Sequence, residues 1–317
     1  MARDKAMIIG VDTLAGANIA LTWANRCEVV GLASRRRFTL DNCRAITAAA
    51  DDRLALADII DAEAPQTIVV CGPTSRSAWD WSHDFEAGSE SERLGIICRA
   101  ANRCGRRVIV VTSDAACSGP FLFNRENDDH PPVDGAALAI REIETAATES
   151  RCFVARTHLF GWSPTADSLI EQMWTAIVEG RPVHASGARY ATPVLASDFA
   201  ELLWKAKACN LCGLYNLAGA ERASMWHFAA ELSGLAGEVL RVMSLDSALA
   251  APEFQLKNEF RLGQETSLDS RVVQRALQSP LPRLQDGIAR FVEQAASGYR
   301  DRITAALALP ALAASAA

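Results

Sequence analysis

Short apolar runs alternate with longer amphipathic segments through the first half of the chain. The apolar runs are typical of strands buried on both faces of a sheet, and the segments between them carry apolar positions at helical spacing. We predict strands at 6–11, 27–33, 66–72, 106–113 and 152–161, and helices at 15–25, 54–63, 89–104 and 135–150. Strands and helices in this order form right-handed βαβ units. The pattern therefore predicts an α/β fold with a doubly wound parallel sheet.

The pattern is less regular in the second half. It predicts helices at 167–180, 197–209 and 224–235 and strands at 213–219 and 239–245, and residues 250–264 show no clear period. We expect residues 1–160 to form the sheet domain. Residues 161–303 should form mainly a smaller C-terminal α/β lobe, with 190–220 returning to the sheet. Residues 304–317 are rich in alanine and are expected to form a terminal tail.

The composition is that of an ordinary globular protein and argues against several classes of function. The net charge of the 317 residues is −6, so the chain has no basic footprint for nucleic acid or for an anionic membrane surface. No apolar run reaches the ~20 residues that span a bilayer, and we find no secretion signal. We expect a cytoplasmic protein whose nine cysteines are reduced. Cys209 and Cys212 lack the second ligand pair of a structural zinc site, so no metal is expected.

The first predicted strand ends in a turn that contains two glycines, Gly10 and Gly16. Turns of this kind bind a dinucleotide diphosphate, because glycine lets the backbone approach closely and the helix N-terminus attracts the anion. Thr13 stands where a third glycine is usual. Its side chain crowds the diphosphate, although its hydroxyl can donate to it. We predict a dinucleotide site at Gly10, Thr13, Leu14 and Gly16, the alternative being a turn that binds nothing.

The end of the second predicted strand indicates which dinucleotide is bound. Sites that prefer NAD place Asp or Glu there, to accept hydrogen bonds from the ribose. Here Ser34 is followed by Arg35, Arg36 and Arg37. A hydroxyl and guanidinium groups suit a 2′-phosphate. We therefore predict NADP(H), held by Ser34, Arg35 and Arg36, with a solvated basic loop as the alternative.

Six further segments carry a resemblance to a known family. They are 110–114 (VVTSD), 155–161 (ARTHLFG), 179–183 (EGRPV), 192–200 (TPVLASDFA), 213–219 (GLYNLAG) and 267–271 (SLDSR). In order and spacing they resemble the dTDP-4-dehydrorhamnose reductase branch of the extended short-chain dehydrogenases/reductases, over about residues 6–295. The resemblance implies a Rossmann domain, a nucleotide-sugar ligand in the smaller lobe and a homodimer.

The chain lacks the acid–base couple that this family uses. There, a Tyr-x-x-x-Lys on the helix after the fourth strand supplies a tyrosine that protonates the substrate oxygen as hydride arrives, and a lysine that lowers the tyrosine pKa. None of Tyr190, Tyr215 and Tyr299 is followed by lysine four positions later, and no lysine lies between 6 and 204. Alignment on the helix puts Asp134 at the tyrosine position and Leu138 at the lysine position.

Several other residues are candidates for the missing chemistry. Ser113 stands at the family's Ser/Thr position and is predicted to hydrogen-bond a carbonyl. Asp134 can replace the tyrosine only if burial raises its pKa. His130 is the neighbouring group best tuned to neutral pH. A solvated loop is the alternative for this acidic stretch.

Three residues are predicted to contact substrate. His158 ends a predicted strand at the expected cleft, and Arg189 and Tyr190 lie where the family contacts its nucleotide-sugar. The alternatives are a packed strand-end histidine and solvent-exposed polar residues.

Two functions remain open. The first is an NADP(H)-binding protein, catalytically impaired, with a binding or regulatory role. The second is an active oxidoreductase or epimerase that acts on a nucleotide-linked sugar or related carbonyl through a substituted acid, since hydride transfer needs only cofactor and geometry. A third possibility is a fold kept for assembly alone.

Overall fold

The computed structural model describes residues 4–33, 40–47, 53–80, 87–117, 121–243, 254–257 and 265–304. The strands are β1 (Lys5–Ile9), β2 (Glu28–Ala33), β3 (Cys43–Thr47), β4 (Thr67–Cys71), β5 (Arg107–Ser113), β6 (Phe153–Thr157), β7 (Leu159–Phe160), β8 (Val183–Ser186), β9 (Tyr190–Ala191), β10 (Val194–Leu195), β11 (Gly213–Asn216), β12 (Ala223–Ser224) and β13 (Phe254–Lys257). The α-helices are α1 (Leu14–Trp23), α2 (Arg53–Glu63), α3 (Ala87–Arg103), α4 (Gly135–Glu149), α5 (Leu169–Val178), α6 (Ala196–Ala208), α7 (Met225–Met243), α8 (Arg271–Leu277), α9 (Leu284–Ala296) and α10 (Tyr299–Thr304).

Seven parallel strands form the central sheet, in the order β11-β6-β5-β4-β1-β2-β3. The chain moves outward from β1 through β2 to β3, and then crosses back to β4 and continues in the other direction. This order confirms the predicted doubly wound parallel sheet. The crossing between β1 and β4 is the switch point at which such sheets open a crevice for ligands.

Alternate residues of each inner strand enter different apolar layers. On β1, Ala6 and Ile8 join the layer that contains α1 and α6, whereas Met7 and Ile9 join the layer that contains α2, α3 and α4. A strand buried on both faces needs apolar residues at successive positions. The continuous apolar runs of the sequence are therefore explained by helices on both sides of the sheet.

The second half adds short strand pairs and helices beside the central sheet. β7 pairs with β10, β8 with β13 and β9 with β12. Within residues 190–220, β11 joins the central sheet, whereas β9 and β10 belong to these small pairs. None of the described helices is long and apolar enough to cross a membrane. Residues 305–317 of the predicted tail lie outside the described part of the chain.

The predicted strand at 239–245 is wrong, because α7 continues to Met243. An apolar run of this length fits a helix or a strand, and no proline interrupts the helix that precedes it. The predicted strand at 152–161 divides into β6 and β7. The sequence pattern missed β3, α8, α9, α10 and the short strands β8, β9, β10 and β12, and it assigned no structure to the region that contains β13.

Candidate functional site

The carboxyl ends of the central strands bring several of the predicted residues to one edge of the sheet. Gly10 follows β1, Ser113 ends β5 and His158 follows β6. Since β5 and β6 are paired in parallel, with Ser113 beside Thr157, these strand ends lie next to each other. Ligands of doubly wound sheets bind outside this edge.

The turn between β1 and α1 requires glycine at both of its ends. Gly10 has φ +80°, and a Cβ placed on it would lie 1.6 Å from the carbonyl oxygen of Cys71 on β4. A Cβ on Gly16 would lie 2.1 Å from the carbonyl oxygen of Gly10. Both contacts are shorter than any side chain tolerates. The turn is therefore a tightly closed backbone cradle in front of the N-terminus of α1.

Thr13 closes the first turn of α1 as its N-cap residue. Its hydroxyl accepts a hydrogen bond from the Gly16 amide at 3.0 Å and donates one to the Gly10 carbonyl at 2.8 Å. The amides of Leu14 and Ala15, at the first two helical positions, have no intrahelical partner, as in any α-helix. The residues present fit a diphosphate at these amides. The Thr13 hydroxyl proton, by contrast, is already directed to Gly10.

Ser34, Arg35 and Arg36, the residues predicted to hold a 2′-phosphate, lie outside the described residues. The described part of β2 ends at Ala33, beside Thr47 of β3. Preference for NADP(H) over NAD(H) consequently stays a prediction from the sequence.

Ser113 and Asp114 form a buried polar pair at the end of β5. The Ser113 hydroxyl accepts from the Ala115 amide at 3.0 Å and donates to Asp114 Oδ1 at 3.2 Å. Neither residue is exposed to solvent. The hydroxyl of Ser113 therefore lies at the expected strand end, but it is engaged within its own turn.

Asp114 and His158 form a buried acid–imidazole dyad between the ends of β5 and β6. His158 Nδ1 lies 2.8 Å from Asp114 Oδ2, and both side chains are essentially inaccessible. The Ala78 amide donates to Asp114 Oδ1 at 2.9 Å, and the Thr266 hydroxyl donates to Oδ2. Burial alone would raise the pKa of Asp114, but the charge and hydrogen bond of His158 and the bonds from Thr266 and Ala78 lower it. Asp114 is therefore held as a carboxylate.

Two buried polar atoms beside this dyad have no hydrogen-bond partner within the described residues. One is Nε1 of Trp79, whose indole packs edge-on against the His158 imidazole with 4.5 Å between ring centroids. The other is Oγ1 of Thr157, the residue before His158. Leaving a buried polar group unpaired costs about 1–3 kcal/mol. Such atoms accordingly point to a ligand that would pair with them.

Tyr190 begins β9 and Arg189 precedes it, and both contact residues that bond the dyad. The Arg189 guanidinium donates to the Ala78 carbonyl, and burial lowers its pKa while the charges of Asp114 and Asp80 oppose the change. The Tyr190 carbonyl accepts from the Thr266 amide at 3.0 Å. The Tyr190 ring stacks under the guanidinium of Arg222, 3.5 Å from its centroid.

The contacts of Asp134 and His130 are with residues other than Asp114 and His158. Asp134 is the N-cap of α4 and accepts from the Ala137 amide at 2.8 Å. His130 stacks on the Phe121 ring at 3.6 Å, and its Nε2 lies 3.9 Å from a carboxylate oxygen of Asp128. Across the described part of the chain, neither side chain hydrogen-bonds Ser113, Asp114 or His158. Their catalytic roles stay predictions.

Sequence reasoning missed the association of Asp114 with His158, Thr266 and the Ala78 amide. A usable signal was present, because Asp114 follows one predicted buried strand, His158 lies in the C-terminal part of the next, and neighbouring parallel strands end at the same edge. No local pattern marks Thr266, which lies 152 residues beyond Asp114. Among the described residues, no group of His, Cys, Asp and Glu side chains could hold a metal ion.

No family model matches the chain, and no curated protein matches it. Several solved structures share its fold. A hypothetical dTDP-4-dehydrorhamnose reductase from Sulfolobus tokodaii is 19% identical, with a TM-score of 0.71 over 89% of this chain and 98% of that chain. The Bacillus anthracis dTDP-4-dehydrorhamnose reductase in complex with NADP is 12% identical, with a TM-score of 0.70 over 92% and 99%. MoeE5 in complex with UDP-glucuronic acid and NAD is 18% identical, with a TM-score of 0.72 over 92% and 99%.

At these identities the comparison bears on the fold rather than on the chemistry. It agrees with the segments of sequence that resemble the reductase branch and with the seven-stranded parallel sheet. The chain therefore has the Rossmann-type fold of dTDP-4-dehydrorhamnose reductases and of related sugar-nucleotide enzymes of the short-chain dehydrogenase/reductase type.

Proposed function

We propose that this chain is an NADP(H)-binding protein of the dTDP-4-dehydrorhamnose reductase-like type, with a cleft for a nucleotide-linked sugar. The observation that carries the proposal is the turn from Gly10 to Gly16. It forms a closed backbone cradle at the switch point of the sheet, in front of the α1 amides of Leu14 and Ala15. The NADP, NAD and UDP-sugar complexes of proteins with this fold support the same assignment.

The preference for NADP(H) rests on Ser34, Arg35 and Arg36. A guanidinium beside the ribose pairs with a 2′-phosphate through charge-assisted hydrogen bonds, and NADH has no group to use them. When bound, the nicotinamide would supply or accept hydride. The chain would supply binding, orientation and a proton donor.

The missing Tyr-x-x-x-Lys argues for catalytic impairment and for a binding or regulatory role. The α4 sequence GAALAIREIETAATE contains neither tyrosine nor lysine, and its N-cap is Asp134. The tyrosine-to-oxygen proton transfer of the family is thus not available to this chain. The second candidate, an active oxidoreductase or epimerase that uses a substituted acid, is favoured by one observation, the buried Asp114–His158 dyad.

Titration with NADPH and, separately, with NADH tests the proposed cofactor. Nicotinamide fluorescence or calorimetry reports binding without any need for turnover. We expect tighter binding of NADPH. Arg35→Ala should weaken NADPH binding by about tenfold or more, because a hydrogen bond to a charged group contributes about 1.5–3 kcal/mol, and should leave NADH binding unchanged.

Arg181→Ala is the matched control for the arginine substitution. Arg181 follows α5, its side chain is 58% exposed, and its ion pair among the described residues is with Glu179 at 2.5 Å. Its substitution should change the affinity for neither cofactor. Absence of binding by both cofactors would contradict the proposal. Equal affinity for NADPH and NADH would contradict only the preference.

A further inference from the structure

Four separate segments meet at the carboxylate of Asp114. It receives hydrogen bonds from the Ala78 amide after β4, from His158 after β6 and from Thr266 in the C-terminal segment. Asp114 itself follows β5. The convergence fixes the carboxylate in one orientation at the edge of the sheet where ligands bind.

The carboxylate also fixes the tautomer of His158. Because Asp114 Oδ2 can only accept a hydrogen bond, the proton of the neutral imidazole lies on Nδ1. Nε2 then remains as the ring nitrogen that can take up or release a proton. A carboxylate that holds an imidazole in this way orients it and stabilises the imidazolium form, as in hydrolytic triads.

Among the described residues, three ionisable side chains, Asp114, Asp80 and Arg189, make up the electrostatic surroundings of the imidazole. Asp114 bonds Nδ1, and Asp80 and Arg189 are close enough to interact electrostatically within the same cluster. Burial raises the pKa of Asp80, opposed by its bond from the Leu169 amide and by the charge of His158.

Two residues next to this imidazole carry buried atoms that are unpartnered among the described residues, Nε1 of Trp79 and Oγ1 of Thr157. The Trp79 indole packs against the ring, and Thr157 is the residue that precedes His158. The indole N–H is a hydrogen-bond donor beside the imidazole that the oxygen of a keto sugar could satisfy. The imidazole is 1% exposed, which keeps bulk water from Nε2, so a substrate reaches it only when the packing around the ring opens.

We infer that the Asp114–His158 dyad is the proton-transfer group of this site, with His158 Nε2 acting on the carbonyl oxygen of a keto sugar nucleotide and Asp114 as a positioning residue. The inference rests on the proposed NADP(H) binding, and it develops the second candidate function, an active oxidoreductase that uses a substituted acid, in place of the catalytically impaired one. It replaces the missing tyrosine by an imidazole that comes from a different strand end.

The reaction balances with the cofactor already proposed. The carbonyl carbon gains a hydride, with its electron pair, from the reduced nicotinamide, and the carbonyl oxygen gains the proton released by His158 Nε2. In the substrate the C=O π bond would break and one C–H and one O–H bond would form, which makes the ketone an alcohol. The reduced cofactor, when bound, would give up the hydride from one of its C–H bonds and lose two electrons, and the Nε2–H bond of His158 would break to give up the proton. The neutral imidazole would regain a proton from solvent when the packing around the ring opens. A positioned proton donor contributes about 10²- to 10⁴-fold to such a step.

His158→Asn separates the catalytic role of the imidazole from a structural one. The asparagine amide can still donate to Asp114 from the place of Nδ1, but it has nothing at the place of Nε2. His184→Asn is the matched control, because His184 lies exposed on β8. The substrate is dTDP-4-dehydrorhamnose with NADPH, alcohol formation is followed by chromatography, and NADPH affinity and thermal stability are measured for each variant.

We expect turnover by the natural chain and by His184→Asn, and a loss of about 100-fold or more in kcat for His158→Asn with NADPH affinity and thermal stability retained. Asp114→Asn should move the alkaline fall of the rate to lower pH, because the imidazolium loses its anionic partner. Trp79→Phe keeps the ring contact but removes Nε1, so it should raise KM more than it lowers kcat.

Nitrogen NMR of the histidine side chains gives a readout that needs no turnover. Protonated Nδ1 and unprotonated Nε2 are expected for neutral His158, and the Nε2 resonance should shift when the keto sugar nucleotide is added to protein loaded with NADP⁺. Three outcomes would each overturn the inference: an Nε2 resonance that does not shift, full activity of His158→Asn, or absence of turnover by a natural chain that binds NADPH. Each would leave the proposed cofactor binding intact. Failure to bind NADPH would instead overturn the proposed function.

Discussion

Arg156 on β6 and Glu144 on α4 form a two-pronged ion pair inside the protein. Arg156 Nε lies 2.9 Å from Glu144 Oε1, its terminal nitrogen lies 2.5 Å from Oε2, and the side chains are 7% and 4% exposed. The Thr112 hydroxyl on β5 donates to the same carboxylate at 2.7 Å. Burial by itself lowers the pKa of Arg156, but the Glu144 carboxylate outweighs it and raises that pKa. The pair thus joins two strands and a helix next to the strand ends that carry Ser113 and His158.

Glu144→Ala should lower the free energy of unfolding by about 3–5 kcal/mol, because it leaves the Arg156 charge buried without its partner. Urea unfolding followed by circular dichroism measures the change. Glu179→Ala is the control, since Glu179 pairs with Arg181 at the surface with both side chains more than half exposed. It should cost at most about 1 kcal/mol. Equal losses for the two variants would contradict this view of the buried pair.

Gly10→Ala should disrupt both the fold and the proposed cofactor site. The new Cβ would lie 1.6 Å from the Cys71 carbonyl oxygen at a residue with φ +80°, so the backbone of the turn must move. Gly105→Ala measures the loss of stability that comes from positive φ alone, without a steric clash. Gly105 also has positive φ, +63°, but a Cβ there would meet nothing within 4 Å, and the cost should be about 1–2 kcal/mol. We expect Gly10→Ala alone to lose NADPH binding, measured by calorimetry, and to melt at the lower temperature.

Thr13→Gly should be slightly less stable than the natural chain and should bind NADPH more tightly. Glycine in place of the N-cap threonine costs a few tenths of a kcal/mol, and the alanine variant about 1 kcal/mol. Removal of the side chain opens the space in front of the Leu14 and Ala15 amides, where the diphosphate is proposed to bind. Comparison of Thr13→Gly with Thr13→Ser, which keeps the capping hydroxyl, in NADPH titrations tests the idea. Weaker binding by the glycine variant would show that the hydroxyl contributes to the site.

Glu171 should make the stability of the protein depend on pH. It is buried in the first turn of α5, and Oε2 accepts from the Ser163 amide at 3.1 Å and from the Ser168 hydroxyl at 2.9 Å. Burial raises its pKa to about 7, opposed by these two serines. Because the folded pKa lies above that of the unfolded chain, the stabilising contribution of protonated Glu171 is complete below about pH 4 and is lost as pH rises to about 7.

Glu171→Gln removes this titration. When the pH is raised from 5 to 8, the natural chain should therefore lose about 2–3 kcal/mol in free energy of unfolding relative to the variant. Urea unfolding at the two pH values measures it. Glu179→Gln, at an exposed position, should show no such change. A pH-independent difference for Glu171→Gln would argue that the carboxyl is ionised in the folded protein throughout this range.

Asp134→Asn distinguishes a capping role from a catalytic one. Asp134 caps α4 by accepting from the Ala137 amide, and asparagine caps a helix about as well as aspartate. We expect Asp134→Asn to retain stability and turnover, and Asp134→Ala to lose about 1 kcal/mol of stability with turnover retained. Thermal melting and the reductase assay measure the two effects. Loss of turnover in the asparagine variant would make Asp134 the acid instead of His158.

The outline of the fold was accessible from the sequence because its signals are local. Strands buried on both faces must be apolar at successive positions, and the helices between them must be amphipathic, so most elements of the first half are predicted within a few residues of their bounds. Elements are mispredicted where the local pattern of apolar residues is ambiguous. Among the described strands, β3 lies at the edge of the sheet and pairs with β2 alone. At 239–243 a short apolar run fitted strand and helix equally well, and the preceding helix continued through it.

The sequence by itself determined the α/β order of elements, the glycine turn at 10–16 and the absence of the Tyr-x-x-x-Lys couple. Each is a property of neighbouring residues or of composition. Only the tertiary structure decided that Asp114 meets His158, 44 residues further on, and Thr266, 152 residues further on. Those contacts depend on which strands become neighbours and on how the C-terminal segment returns to the edge of the sheet. Such choices follow from the packing of the whole chain, which no local stretch of sequence specifies.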